Sequence, residues 1–367
     1  MKMSFGSRRS AKYSWWRPLR ILAVSAATAS VVVGTTALAA AGPTAPYALV
    51  GPRGGALVIL EPDAPTRLVP FAQGGQSFAT AVAPDGLAYV ADGANGRLDM
   101  LDLHSGRVIA SVSMPRSPKA LTVLTPDRRH VLTVGFGFAR LYNASAPYNL
   151  EAVLPGNGGM AAVVMPNGRH AYVAGLNRAG IDVLDLQTHT LVTTLAPTQR
   201  FVSLALSTGG RRLYAFSPVS GDVLMFRTSD GHLLKTIQTA ESGFNPQNPS
   251  TWHAGFMQAT FSPRDGGTLF AAAFSGHVDR FQARTLSPLS PVTVSLNTGG
   301  PNQVVAVAVS PDGRRVFASD ENAQGTVEFS VRTGRVIATF AAGTDSRWSV
   351  VPAAAVAPVQ GTGGAGR

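Results

Sequence analysis

The sequence predicts an all-β fold, a seven-bladed β-propeller with four antiparallel strands per blade, whose last blade is closed by a C-terminal strand pairing with the N-terminal strands. Three observations carry the prediction. A Pro-Asp-Gly-like turn recurs every 40 to 55 residues, short β-branched and aromatic runs follow each copy at similar offsets, and the two chain ends hold complementary pieces of one further unit. The composition agrees: 367 residues with 45% hydrophobic and 14% charged positions can bury a large core, and 39 glycines and 25 prolines suit many strands joined by tight turns.

In chain order, the first element stands apart. Lys2, Arg8, Arg9, Lys12, Arg17 and Arg20 precede the apolar run from Ile21 to Val33 and the small residues Ala37 to Ala41, the pattern of an export signal over residues 1–41. Cleavage after Ala39 or Ala41 satisfies the small-x-small rule; the alternative is an uncleaved anchor, because Ile21 to Ala41 is long enough to span a bilayer, and only then would the membrane be a partner. The expected location is periplasmic or secreted. This leader holds six of the 31 basic side chains and none of the 20 acidic ones, so the charge of the remaining chain falls from +11 to +5 and does not by itself call for a polyanion. Cysteine is absent, which excludes disulfides, thiolate metal sites and cysteine nucleophiles.

Residues 42–358 are expected to form the ring, and 359–367 a flexible tail. The turn copies are Ala81 to Gly86, Val123 to Asp127, Val164 to Gly168, Leu206 to Gly210, Thr260 to Gly266 and Val309 to Gly313. Each is preceded by a first strand and followed by a second, as in Ala88 to Ala91, His170 to Ala174, Arg212 to Phe216 and Arg315 to Ala318. A third strand alternating apolar with polar comes next (Arg97 to Asp102, Gly180 to Asp185), and a fourth follows a Ser-Gly, Asp-Gly or Thr-Gly turn (Arg107 to Val112, His232 to Ile237, Arg335 to Phe340). Tyr47 to Val50, Ala56 to Leu60 and Thr66 to Phe71 read as second, third and fourth strands without a first; Ala353 to Pro358 matches Ala81 to Pro84 in register and is expected to supply it.

Tyr89-Val90-Ala91-Asp92 and Tyr172-Val173-Ala174, with their Pro-Asp-Gly and Ile-Asp or Leu-Asp flanks, resemble the YVTN family of propeller repeats over residues 46–358. The resemblance implies the fold and little about function, because such blades look alike and their loops differ.

In such a ring the residues just before each first strand rim one mouth of the channel. They are Gln76 and Phe78, Arg116 and Lys119, Gly158 and Gly159, Arg200 and Phe201, His253 and Phe256, Asn302 and Gln303, and Arg347 and Trp348. Of these, Arg116, Lys119, Arg200, Phe201, His253, Gln303, Arg347 and Trp348, together with Trp252, are the candidate ligand-binding residues. Guanidinium groups pair with carboxylate or phosphate and aromatic faces stack on rings, so the mouth is expected to take an anionic or ring-bearing ligand: a protein, a glycan or a nucleic acid. The long connection from Glu241 to Gly255 either covers this mouth, presenting Phe244, Asn245, Asn248, Trp252 and His253, or packs on itself with Trp252 over a blade edge.

No catalytic residue, metal or cofactor is assigned. The seven histidines lack i,i+2 or i,i+4 partners, the strand carboxylates Asp99, Asp102, Asp182, Asp185 and Glu328 repeat with the blade as structural hydrogen-bonding groups, and no phosphate-binding or nucleophile-elbow motif occurs. The leading expectation is a non-enzymatic binding scaffold. The alternatives are a lactonase-like hydrolase, needing a carboxylate, a histidine and an arginine to converge from His253, Arg200, Arg347, Asp345 and Glu241, and an accessory subunit of a periplasmic redox complex.

Overall fold

The computed structural model describes residues 47–262, 267–296, 302–322 and 324–358; the expected leader and tail, and residues 263–266 of the Thr260 to Gly266 turn, lie outside these. Seven four-stranded antiparallel sheets form, and their innermost strands contact one another in a closed cycle, giving a seven-bladed β-propeller. Blade 1 combines Ser349–Pro352 with Tyr47–Arg53, Ala56–Leu60 and Arg67–Pro70. Blades 2 to 7 run from inner strands Ala81–Val82, Leu121–Leu124, Ala161–Val164, Ser203–Leu206, Phe256–Phe261 and Val304–Val309 outward in sequence order.

The closing strand differs from the sequence expectation. Ser349–Pro352, not Ala353 to Pro358, pairs with the first strand of the chain, in the register Tyr47 to Pro352, Ala48 to Val351, Leu49 to Val350 and Val50 to Ser349. Consecutive valines at 350 and 351 favour an extended chain, whereas Ala353–Ala355 lacks β-branched side chains and turns into a 3-10 helix directly after Pro352. Ala355 and Val356 are then buried in the apolar cluster that joins blades 1 and 2, with Val50, Ile59, Val90 and Leu103.

Second and third strands lie between neighbouring blades, so both of their faces are covered, and the polar positions of the third strands do not meet solvent as simple alternation implies. They find partners across the sheet instead. Asp99 receives the Ser111 hydroxyl and Arg97, and Asp182 receives Thr194 at 2.9 Å together with the Arg178 guanidinium. Glu328 takes Arg315 at 2.9 Å. Asp185, at a strand end, accepts the main-chain N–H groups of Gln187 and Thr188 and the Arg169 side chain, which hold its carboxyl far below the ordinary range. The repeating tyrosine bolts one blade to the next: the hydroxyl of Tyr89 donates to the carbonyl of Ala144, that of Tyr214 to Ala283 at 2.7 Å, and that of Tyr172 to Thr228 at 3.5 Å.

In blades 2, 3, 4, 5 and 7 the turn between first and second strands closes through a main-chain bond onto a residue in the left-handed region. Gly86 (φ 89°), Gly168 (72°), Gly210 (67°) and Gly313 (67°) occupy that place in blades 2, 4, 5 and 7. Blade 3 puts Arg128 there, at φ 59°, with its N–H on the Thr125 carbonyl at 2.8 Å. A side-chain-bearing residue costs about 1–2 kcal/mol in this conformation. Arg128→Gly is therefore expected to raise the unfolding free energy by about 0.5–1 kcal/mol, after the extra backbone entropy of glycine is subtracted; urea denaturation measures it.

The chain after the closing strand is held by His104. Its Nδ1 lies 2.6 Å from the Ala357 carbonyl and its Nε2 2.9 Å from the Asp85 carbonyl, so both ring nitrogens face acceptors. A neutral imidazole has one donor, and both contacts are satisfied only by the imidazolium. The bond to Ala357, the bond to Asp85 and the Asp102 and Asp85 carboxylates raise the His104 pKa against the opposing effect of burial. Since the folded-state pKa lies above the unfolded one, the stabilisation is fully present below the unfolded value of about 6.5 and is lost as pH rises through the folded one. His104→Gln is expected to lower the melting temperature at pH 5.5 and to have a smaller effect at pH 9, which paired melts at the two pH values would show.

Candidate functional site

One end of the ring collects the chain arriving at each inner strand and the turns between second and third strands. Buried carboxylates tie the two together. Asp92 accepts the Gln76 N–H at 3.1 Å, Asp320 accepts the Gln303 N–H at 2.8 Å, and Glu241 accepts the Gly255 N–H at 2.7 Å and the Ser275 hydroxyl. The arriving chain is thus held at fixed height, and its side chains are sorted between channel, inter-blade core and solvent.

Arg347 enters the channel. It is 9% exposed, and its Nη2 donates to the Val202 carbonyl of the blade 5 connection and, at 3.3 Å, to the Met257 carbonyl of blade 6. The guanidinium carbon stands 4.8 Å from the centre of the Phe78 ring, which leads into blade 2. An arginine carried by blade 1 therefore crosses the axis, and burial pushes its pKa down to about 10. Trp348 beside it is 4% exposed; its Nε1 donates to Ser319 at 2.8 Å, and the Gln258 side-chain amide bonds both its N–H and its carbonyl. Phe201 is fully buried among Tyr172, Ile181, Leu213 and Phe226. These three residues, expected at the rim, are interior: the apolar bodies of Trp348 and Phe201 are packed among the inner strands and their neighbours.

The long connection packs on itself. Phe244 is buried against Phe274, Trp252 stacks on Phe244 at 6.1 Å with ring planes 23° apart, and the indole Nε1 donates to the Asn245 carbonyl at 3.0 Å. Asn248 caps the 3-10 turn Pro249–Thr251, and Gln303 donates its side-chain amide to the Trp252 carbonyl. His253 is exposed, with Nδ1 3.0 Å from the Ser250 carbonyl. With Phe78, Phe201, Phe256 and Trp348 buried and one face of Trp252 taken, the aromatic residues named from the sequence offer little surface for stacking.

The remaining charges are mixed rather than uniformly cationic. The half-buried Lys119 lies over the Phe78 ring at 4.9 Å; burial lowers its pKa, Glu321 and Asp345 oppose that, and Arg347 adds to it. Glu321 in turn is raised by burial and lowered by Lys119. Asp345 is exposed and accepts from Gly54 and Ser346. Sequence reasoning missed Glu321 because it read only the arriving connections. Its position directly after the Phe317-Ala318-Ser319-Asp320 strand end, in a turn on the same side of the ring, was the available signal. Arg116 and Arg200 are exposed and make no hydrogen bond or ion pair with any described residue. The groups required for a lactonase do not converge: His253 is turned to its own loop, Glu241 is occupied by Gly255 and Ser275, and Arg347 is bound to main-chain carbonyls. Among the described residues no three His, Asp or Glu side chains meet in a group able to hold a metal ion.

No family model and no curated protein matches the chain. Solved structures do, including Kuenenia stuttgartiensis hydrazine synthase, at 13% identity and a TM-score of 0.62 over 75% of this chain and 95% of that one. At such identity the likeness shows the fold, a seven-bladed β-propeller, and nothing finer.

The interior and exterior residues of the mouth should separate by stability. Trp348→Ala is expected to cost about 3–5 kcal/mol through the cavity it leaves, and Arg116→Ala no more than about 0.5 kcal/mol, by urea unfolding of the two variants.

Proposed function

We propose that the protein is an exported, non-enzymatic binding scaffold of the YVTN type, which holds a protein partner with an acidic surface on the Arg116 and Arg200 side of the ring. The observation that carries this reading is the pair of exposed arginines without partners among the described residues, beside a channel that Arg347 crosses. Exposed charges spread along a rim suit the surface of a macromolecule more than a small substrate. The scarcity of free aromatic faces favours an acidic protein over a glycan or a single-stranded nucleic acid, both of which stack. Exposed rim charges act mainly on association rate and salt dependence.

A second reading, an accessory subunit beside an exported redox enzyme, draws support from the fold shared with hydrazine synthase. It uses the same face and differs in the identity of the partner.

Immobilised protein, wild type and Arg116→Ala/Arg200→Ala, would be compared for retention of proteins from the exported fraction at low and moderate salt. The reading expects a salt-sensitive acidic partner whose retention falls about tenfold in the double variant, equivalent to about 1.4 kcal/mol. Equal retention by both forms overturns it.

A further inference from the structure

Arg347 is the sole lysine or arginine among the buried residues of the described chain. Its hydrogen bonds to described residues run through Nη2 alone, to two main-chain carbonyls, while Nε is buried without a partner. No carboxylate of the described residues forms an ion pair with it. Arg97 has Asp92 and Asp99, and Arg178 has Asp182; Arg67, Arg140 and Arg280 share an unpartnered Nε but are only partly buried as side chains, whereas Arg347 is buried whole. Glu321 and Asp345, the acidic groups of the mouth, act on Lys119, and neither forms an ion pair with Arg347. The residues outside the described set contain a single acidic side chain, Asp265.

Two carbonyl oxygens satisfy hydrogen bonds but bring no negative charge, and the Phe78 ring offers only its quadrupole. A buried guanidinium without a counter-charge is strongly disfavoured, and it stays protonated at neutral pH because its pKa, although lowered by burial, is still about 10. The chain nevertheless places it on the ring axis, in contact with elements of blades 5 and 6 and beside the residue that leads into blade 2. Its unpaired Nε donor is set among groups that carry no negative charge.

We infer that the central channel is a binding site for one small inorganic anion of chloride size, held by the Arg347 guanidinium through its free N–H donors. The bound ion supplies the counter-charge that the protein omits and ties blades 1, 5 and 6 together through one arginine. This goes beyond the rim proposed for a protein partner and uses neither Arg116 nor Arg200.

The test needs no partner. The chain lacking residues 1–41 would be melted in sodium chloride and in sodium gluconate at equal ionic strength, as wild type, Arg347→Met and Arg116→Ala/Arg200→Ala. Wild type and the rim double variant are expected to gain about 2–4 °C in chloride, saturably, and Arg347→Met, which removes the charge and keeps an apolar stem, to melt alike in both salts. If Arg347→Met does not fold, crystals of the wild type soaked in bromide decide, with an anomalous peak expected within hydrogen-bonding distance of Arg347. Equal wild-type melting in the two salts, an undiminished chloride response in Arg347→Met, or bromide-soaked crystals without that peak would each overturn the site.

Discussion

A ring of sheets exists only if its first and last members meet, and here four residue pairs between Tyr47–Arg53 and Ser349–Pro352 carry that condition. The second and third strands of every blade are covered on both faces by neighbouring blades, so opening the seam exposes apolar surface on either side of it. The chain reinforces the seam on both flanks. Before the closing strand, Thr344 donates to the Pro52 carbonyl and Trp348 is locked to blades 6 and 7; after it, Ala355 and Val356 are buried and His104 and Arg67 hold the carbonyls of Ala357 and Val356. A single strand therefore stands between two anchored stretches, and the cost of closing so long a loop is met at three places rather than one.

Around the rest of the ring, polar side chains perform the joining that a purely apolar interface leaves undirected. Inner strands lend their neighbours hydrogen-bonding groups: Thr122 serves Ala81, Ser203 serves Ala259, Gln258 serves Val307, and Ser349 serves Thr80. Near the outside, the tyrosines of the second strands reach the next blade's turn. Apolar layers can slide by a residue at small cost, whereas these bonds accept one register, which explains why the same few polar types recur at repeat spacing.

The mouth follows from the same geometry. Once buried carboxylates at second-strand ends hold the arriving chain, only residues pointing away from the channel remain for a partner. That is why the broad set of cations and aromatics named from sequence contracts to Arg116 and Arg200 at the surface, His253 on a self-contained loop, and a Lys119, Glu321 and Asp345 group of mixed sign. Arg347 becomes part of the axis.

The sequence by itself determined the strand class, the number of blades, the turn chemistry and the need for a strand from the far end, because turns and strands obey local rules that repeat with the blade. The structural reading of Asp99, Asp182 and Glu328 was also legible, since repetition at blade spacing marks a packing role. Tertiary structure alone decided which C-terminal residues close the ring, because Ser349–Pro352 and Ala353 to Pro358 are both short and apolar and only the pairing partner distinguishes them. It alone also decided that Phe201, Arg347 and Trp348 are interior. Whether a residue before an inner strand faces solvent or axis depends on where seven separate connections converge, and no local pattern in the chain records that convergence.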